Sequence, residues 1–416
     1  MQKKNFKIKS NNKGITLIAL VITIIVLIIL AGVSISMLIG NDGIIEKAKQ
    51  AAEKTDKAAE KEHQDLQNLL DQLNDSLSNE PVIEDDEPLP TIAEAIESGN
   101  QFNKNTPLED EYGNQVVIPS GFHIAMPSVN NGIIYDYTGN GTPSVQDGIV
   151  IEDNDGNQFV WIPVGTINNK EDDENGATTT ITLGRYTFAS GTGTPSAYTD
   201  TDFVEETPEQ HATSGYTNTI ATNITDFITS ANTNKGYYLA RYEASYRDGT
   251  RPYSVQSEGI PYDYYTRPSF YSSKQLWNWV SQTTAANASK AMYTSNEFTS
   301  DLVNSYAWDT AIVFIQKYSG DTDYSRQTTL NYDYDFSRDR PENTGERTDT
   351  TDKVCNIYDM ASNCYEWSTE TSNDPDHPSC IRGGDYDSNS HYTSRRSKNS
   401  IGWLSTGYSF RVTLYI

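Results

Sequence analysis

Basic residues are scarce in this sequence of 416 residues: 31 Lys and Arg stand against 57 Asp and Glu, a formal net charge of -26. That shortage argues against a nucleic-acid partner, because binding a phosphate backbone takes clustered Lys and Arg. The surplus of acid names no partner by itself; it gives a soluble, self-repelling surface. Cysteine is scarce too. The three present, Cys355, Cys364 and Cys380, lie within 26 residues, so outside the cell one pair can form a disulfide and one thiol is left over. Cys355–Cys380 is the expected pair. Their spacing, without histidine partners, does not suit a zinc site. The five histidines, His63, His123, His211, His377 and His391, show no paired spacing. The last three hundred residues lack a helical-bundle composition. Gly, Ser, Thr, Asn and Asp fill them, and the chain holds 27 tyrosines, which suits a loop-rich extracellular domain.

One long apolar run is present. Residues 1–14 form a basic leader with five lysines and no acid, and Ile15 to Ile39 then carries no charge at all. As a helix that run is about 38 Å long at ~1.5 Å per residue, enough to cross a hydrocarbon core of ~30 Å. The lysines place the N-terminus in the cytoplasm, with everything after residue 40 outside. The expectation is a single-pass cell-membrane protein with an extracellular C-terminal domain. The stretch K-G-I-T-L-I-A-L-V resembles the processing motif of type IV prepilins. That resemblance implies cleavage between Gly14 and Ile15 by a prepilin peptidase. The chain departs from the family at Ala19, where a glutamate that registers filament subunits is usual.

Residues 41–78 read as a helical stalk. Ala, Glu, Lys and Gln dominate it, and Leu66, Leu69, Leu70, Leu73 and Leu77 make one apolar stripe. Residues 79–112 read as an acidic linker, with three prolines and five acids in Asn79 to Pro90. In residues 113–416 short apolar runs alternate with Gly, Asn, Asp and Thr clusters, for example F-V-W-I-P-V-G and G-Y-Y-L-A-R-Y-E-A-S. These predict strands and hairpins. Helices are predicted at Ser272–Ser281 and Ser305–Tyr318, the latter with Trp308, Ile312 and Ile315 on one face. The class is α+β with much irregular structure.

Several segments, in order, resemble one family. They are Val116–Phe122, Phe159–Gly165, Gly236–Ser245, Leu302–Ala311, N-I-Y-D-M-A-S-N-C-Y-E-W-S (Asn356–Ser368), R-G-G-D-Y (Arg382–Tyr386) and G-Y-S-F-R-V (Gly407–Val412). The family is the formylglycine-generating enzyme-like (sulfatase-modifying factor) domain, a variant of the C-type lectin fold. The resemblance implies a structural Ca²⁺ held by the side chains of Asp359 and Glu366 and the carbonyls of Ser362 and Cys364. Oxygen ligands held in a bend suit such a hard cation.

Catalytic members carry two cysteines shortly after Arg-Gly-Gly that hold copper through soft thiolates. Here those positions fall near Ser388 and Thr393 or Ser394, and no cysteine follows Cys380. No copper is therefore expected, and iron-dependent relatives would need a histidine triad. The non-catalytic branch includes the variable proteins of diversity-generating retroelements, which this chain resembles in its last segment. Asp385 to Tyr408 is rich in Tyr, Ser, Asn and Asp, residues that make good binding surfaces. Tyr386, Asp387, Asn389, His391, Tyr392 and Trp403 are the expected contacts for a protein or glycan ligand. Arg395 and Arg396 have two readings, anchors for an acidic partner or partners of the domain's own carboxylates, and the second is the expected one. The reading is a membrane-anchored, non-catalytic receptor or adhesin. The alternatives are a formylglycine-generating oxidase and a minor pilin-like subunit.

Overall fold

The computed structural model describes residues 21–30, 61, 88–100, 102–127, 135–137, 141–170, 175–205, 224–262, 271–328, 341–345, 353–388 and 390–416. The chain divides into two units, Met1–Glu87 and Pro88–Ile416. In the first, residues 21–30 are α-helical, with apolar side chains such as Leu27 and Ile28 exposed. No helix among the described residues is long and apolar enough to cross a membrane. The basic leader, the expected processing site at Gly14 and Ile15, and the stalk's leucine stripe lie outside the described residues.

Two sheets carry the second unit, the head. The strand Q-F-V-W-I-P is buried at every position, as a continuous apolar run predicts for a strand covered on both faces. It is β3 (Gln158–Pro163) of a six-stranded sheet with β1 (Phe122–Ile124), β2 (Val150–Asp153), β5 (Gly236–Ala240), β6 (Thr299–Leu302) and β11 (Val412–Tyr415). The order is β6-β11-β5-β3-β2-β1, antiparallel throughout. The second sheet holds β4 (Phe203–Val204), β7 (Tyr365–Ser372), β8 (Ser379–Arg382), β9 (Arg396–Asn399) and β10 (Tyr408–Phe410). Its order is β4-β7-β8-β9, and β10 pairs β7 in parallel.

Only Arg411 separates β10 from β11, so one stretch of chain serves both sheets. Strands that switch sheets are a known way to turn a corner between them. Helices α1 (Ile92–Glu97), α2 (Ile224–Thr233), α3 (Gln282–Ala291) and α4 (Ser305–Tyr318) complete the head. The side chain of Asn304 caps α4 by accepting from the Ala307 N–H at 2.9 Å. α4 packs on β3, β5 and β7, so it touches both sheets. The class is α+β, as expected.

Four expectations are corrected. The linker ends earlier than residue 112: Ile92 and Leu108 are buried in the core, and Thr106–Glu109 pairs with Gln115–Ile118. Ser272–Ser281 is not helical. Lys274 and Trp279 take positive φ there, and Ser281 instead caps α3 by accepting from the Thr284 N–H at 3.2 Å. Asn168–Thr233, mostly polar and expected to be loop with a short strand or two, contains α2, with Ile224, Phe227 and Ala231 buried. The Cys355–Cys380 disulfide is absent: all three cysteines are free and buried. Cys380 Sγ faces Glu370 Oε2 at 3.5 Å, whereas Cys355 sits in a turn whose carbonyl lies close against Gly148.

Candidate functional site

A buried charge cluster forms the floor beneath Asp385–Tyr408. Arg382 on β8 reaches Asp309 of α4 at 2.5 Å and Glu370 of β7 at 2.9 Å. Arg396 on β9 reaches the same two carboxylates at 2.5 and 2.8 Å, and Arg185 adds a third contact to Glu370 at 2.6 Å. Burial alone would raise the Glu370 carboxyl. Arg396, Arg382 and Arg185 outweigh it and hold the group far below the usual range. Five charged side chains thus tie one helix and three strands into a single frame. Arg396 pairs with the domain's carboxylates, as expected from the sequence.

The frame ends at a tight glycine turn. Gly383 has φ +80°, and a Cβ on Gly384 would lie 2.3 Å from the Ala361 carbonyl oxygen and 2.8 Å from that of His391. Both contacts are backbone, so neither can swing aside. Gly384→Ala is expected to cost about 1–3 kcal/mol, the range for overpacking. A thermal melt within about 0.5 kcal/mol of the parent would contradict this close-packing account.

Beyond the turn the chain becomes a face. Asp385 is buried. Its carboxyl is pushed up to about 8 by burial and by neighbouring Asp387. His391 Nδ1 lies 3.4 Å from Asp385 Oδ1 and hydrogen-bonds the Tyr365 hydroxyl. Burial, then the charge of Arg395, lowers the pKa of His391. The Tyr386 N–H donates to the Asn363 carbonyl at 2.8 Å, and its hydroxyl lies 3.2 Å from Thr406 Oγ1. Tyr392 turns away toward a 3₁₀ turn at Tyr324–Arg326, with Arg326 over its ring at 3.7 Å. Trp403 stands on the adjoining turn, 55% exposed, beside Leu404 at 41%.

Of the residues expected to contact a ligand, Tyr386, Asp387 and His391 gather around Asp385. Tyr392 and Trp403 flank them separately, and Asn389 lies outside the described residues. Sequence reasoning missed Asp385 and Tyr365. Tyr365 carried a signal, since it sits inside the N-C-Y-E-W motif. Arg395 was expected to join a carboxylate. It instead donates to the Tyr365 hydroxyl at 2.8 Å and to Ser397 Oγ at 3.3 Å.

The motif Asn356–Ser368 is a hydrogen-bonded hub. Glu366 accepts from Arg411 Nε at 3.0 Å and Nη2 at 2.6 Å, and the same guanidinium donates to the carbonyls of Ala240 and Tyr358. Asp359 accepts from Thr344 Oγ1 at 2.7 Å and the Gly345 N–H at 3.3 Å. The buried Glu243 accepts from the Cys364 N–H at 3.0 Å and from the Asn363 side chain. A cation at Glu366 would have to displace Arg411. Among the described residues, no group of three His, Cys, Asp or Glu side chains is placed to hold a metal ion. The expected calcium donors Asp359, Ser362, Cys364 and Glu366 thus include one carboxylate, Glu366, that Arg411 already occupies.

Ser388 Oγ faces Ser390 Oγ at 3.1 Å and Thr393 Oγ1 donates to the Tyr324 carbonyl at 3.0 Å. Burial pushes all three cysteine thiols far above their ordinary range, which leaves none of them a ready thiolate.

Fold and site together define an α+β head with a polar, aromatic face on a charge-locked frame. No protein-family model matches the sequence, and no curated protein does. Among solved structures the chain is similar to CarF at 15% identity and a TM-score of 0.30, covering 44% of this chain and 87% of CarF. It is similar to PvdO from Pseudomonas aeruginosa at 13% and 0.34, covering 65% and 98% of the two chains. It is similar to variable protein 1 of Treponema denticola at 14% and 0.23, covering 62% and 96%.

Proposed function

We propose that this chain is a membrane-anchored surface receptor or adhesin. In this reading its head, of formylglycine-generating enzyme-like, C-type lectin-type fold, binds a ligand without catalysis. The observation that carries the reading is the division at Gly384. Below it, charges are paired and buried. Above it, Asp387, Trp403 and Leu404 are exposed and Tyr386, His391 and Tyr392 are half-buried. Rigid aromatic side chains beside adaptable polar ones are what binding loops use. The N-terminal apolar run supplies the tether, with prepilin-type processing at Gly14 and Ile15 part of the same proposal. Kinship with retroelement variable proteins belongs to it too, and would appear as codon differences at these positions between sibling isolates.

The test uses the detergent-solubilised full chain on protein and glycan arrays, with and without calcium. Trp403→Ala and Tyr386→Ala are each expected to weaken retained binding at least about tenfold, the ~1.4 kcal/mol or more that truncating a buried aromatic anchor costs. Binding indifferent to both changes would defeat the assignment of the face. Turnover of a sulfatase-type cysteine peptide with copper would defeat the non-catalytic reading.

A further inference from the structure

In a chain with 57 acids and 31 bases, an arginine with no acidic partner stands out. Arg185, Arg247, Arg251, Arg382, Arg396 and Arg411 each pair with a carboxylate. Arg241 is buried against the rings of Tyr135, Tyr242 and Tyr358. Two arginines among the described residues remain: Arg395 within the face described above, and Arg326 on the 3₁₀ turn that flanks it. Arg326 lies over the Tyr392 ring at 3.7 Å, with no carboxylate or other side-chain hydrogen-bond partner among the described residues. Arg395 lies over the Tyr365 ring at 5.2 Å, and its two acceptors are neutral hydroxyls.

The backbone places them side by side. Ser394 N–H donates to the Ser325 carbonyl at 3.0 Å, and Arg395 N–H to the Tyr392 carbonyl at 2.9 Å. Both arginines are partly exposed. A guanidinium keeps its charge at any ordinary pH. Stacked on a ring, its planar fork is already oriented, so little freedom remains to be lost when it meets a planar oxyanion. Asp385 feels the charge of Arg395, which opposes the rise in its pKa, but its ion-pair neighbour is His391 at 3.4 Å.

We propose that Arg326 and Arg395 together receive a carboxylate side chain of a protein ligand. This rests on the ligand-binding reading of the same face and names the chemistry of what binds there. Arginine and aromatic residues are the types enriched where protein interfaces hold their binding energy, and both arginines lie over tyrosine rings. A polyanionic partner is disfavoured, since a net charge of -26 repels it at long range. One Asp or Glu on an otherwise neutral or basic surface meets the two arginines without that penalty.

The experiment is selection of displayed peptides on the full chain. Enriched peptides are expected to share an Asp or Glu, and its change to Asn or Gln is expected to weaken binding at least tenfold. Arg326→Gln and Arg395→Gln should each weaken binding comparably. In the double Gln variant, amidating the peptide should cost nothing further, the signature of a coupled pair. Arg395→Lys should restore part of the affinity, and melting temperatures measured alongside separate lost binding from lost fold. Enrichment of peptides without acids overturns the proposal, as does undiminished binding by the folded double Gln variant. If Trp403→Ala still abolishes binding in that case, the carboxylate assignment fails alone; if it does not, the binding face fails as well. Equal competition by free glucuronate overturns the choice of a protein ligand.

Discussion

Replacing Arg411 with Met is expected to unfold the head. Arg411 is fully buried and holds five acceptors at once: both oxygens of Glu366 and the carbonyls of Ala240, Arg241 and Tyr358. Removing one partner of a buried pair strands the other, at a cost of about 3–5 kcal/mol. Domains have only ~5–15 kcal/mol in all. Burial already raises the Glu366 carboxyl, and Arg411 is what opposes that rise, so the variant traps an acid where it cannot stay charged. Arg411→Lys should fare little better, because an ammonium cannot span five acceptors as the planar guanidinium fork does. Glu366→Gln combined with Arg411→Met should recover part of the loss, since the two sites are coupled. Urea unfolding checks this; a single variant within about 1 kcal/mol of the parent would show the pair to be dispensable.

The second large effect is on pH. Glu205 accepts from the Ser305 N–H at 2.6 Å and Thr369 Oγ1 at 2.8 Å. Burial and nearby Glu370 push its carboxyl from 4.5 up to about 7, against the pull of Arg185. Its folded value therefore lies above its unfolded one. The stability it contributes is complete below the unfolded value and is lost as pH rises through 7. At 1.36 kcal/mol per pH unit, that loss is about 3 kcal/mol. Asp385, pushed up to about 8, has the same sign and extends the fall toward pH 8. Glu243 and Glu366 are raised too and add to it. Glu370, held low by its arginines, acts oppositely, but only in acid below this window. Melting temperature should therefore drop between about pH 5 and 8, and Glu205→Gln should flatten part of the slope. A flat or rising profile over that range would contradict the burial of these acids.

What was legible in the sequence followed from period and from ordered motifs. Ser305–Tyr318 forms α4 at the expected bounds, because Trp308, Ile312 and Ile315 mark a helical stripe that tertiary packing reinforces. F-V-W-I-P became the central strand β3 for the same reason. Ser272–Ser281 misled because Leu276, Trp277 and Val280 are buried without helical backbone. Apolar content predicts burial more reliably than conformation. Residues 88–112 read as linker because they continue the Pro- and acid-rich Asn79–Pro90, yet two apolar anchors, Ile92 and Leu108, seat the segment in the core. The candidate face was legible as composition, while its internal wiring was not. Nothing local to Arg395 or Arg396 tells which of two adjacent arginines turns inward to Asp309 and Glu370. Alternation along a strand decides it, and the strand's register comes from pairing with β8.

The sharing of β10 and β11 between the sheets bears on how the head opens. Tyr365 lies opposite Tyr408 in one sheet and Tyr238 opposite Leu414 in the other, with the buried Arg411 as the joint. Fluctuation that frees one sheet edge here must pull on the other. The two sheets consequently behave along this seam as one cooperative unit, not as separable foldons. Its defining contacts join residues far apart in sequence, which makes its formation slow and all-or-none. The loops of the candidate face hang from that unit at its glycine turn, so local motion there need not loosen the frame.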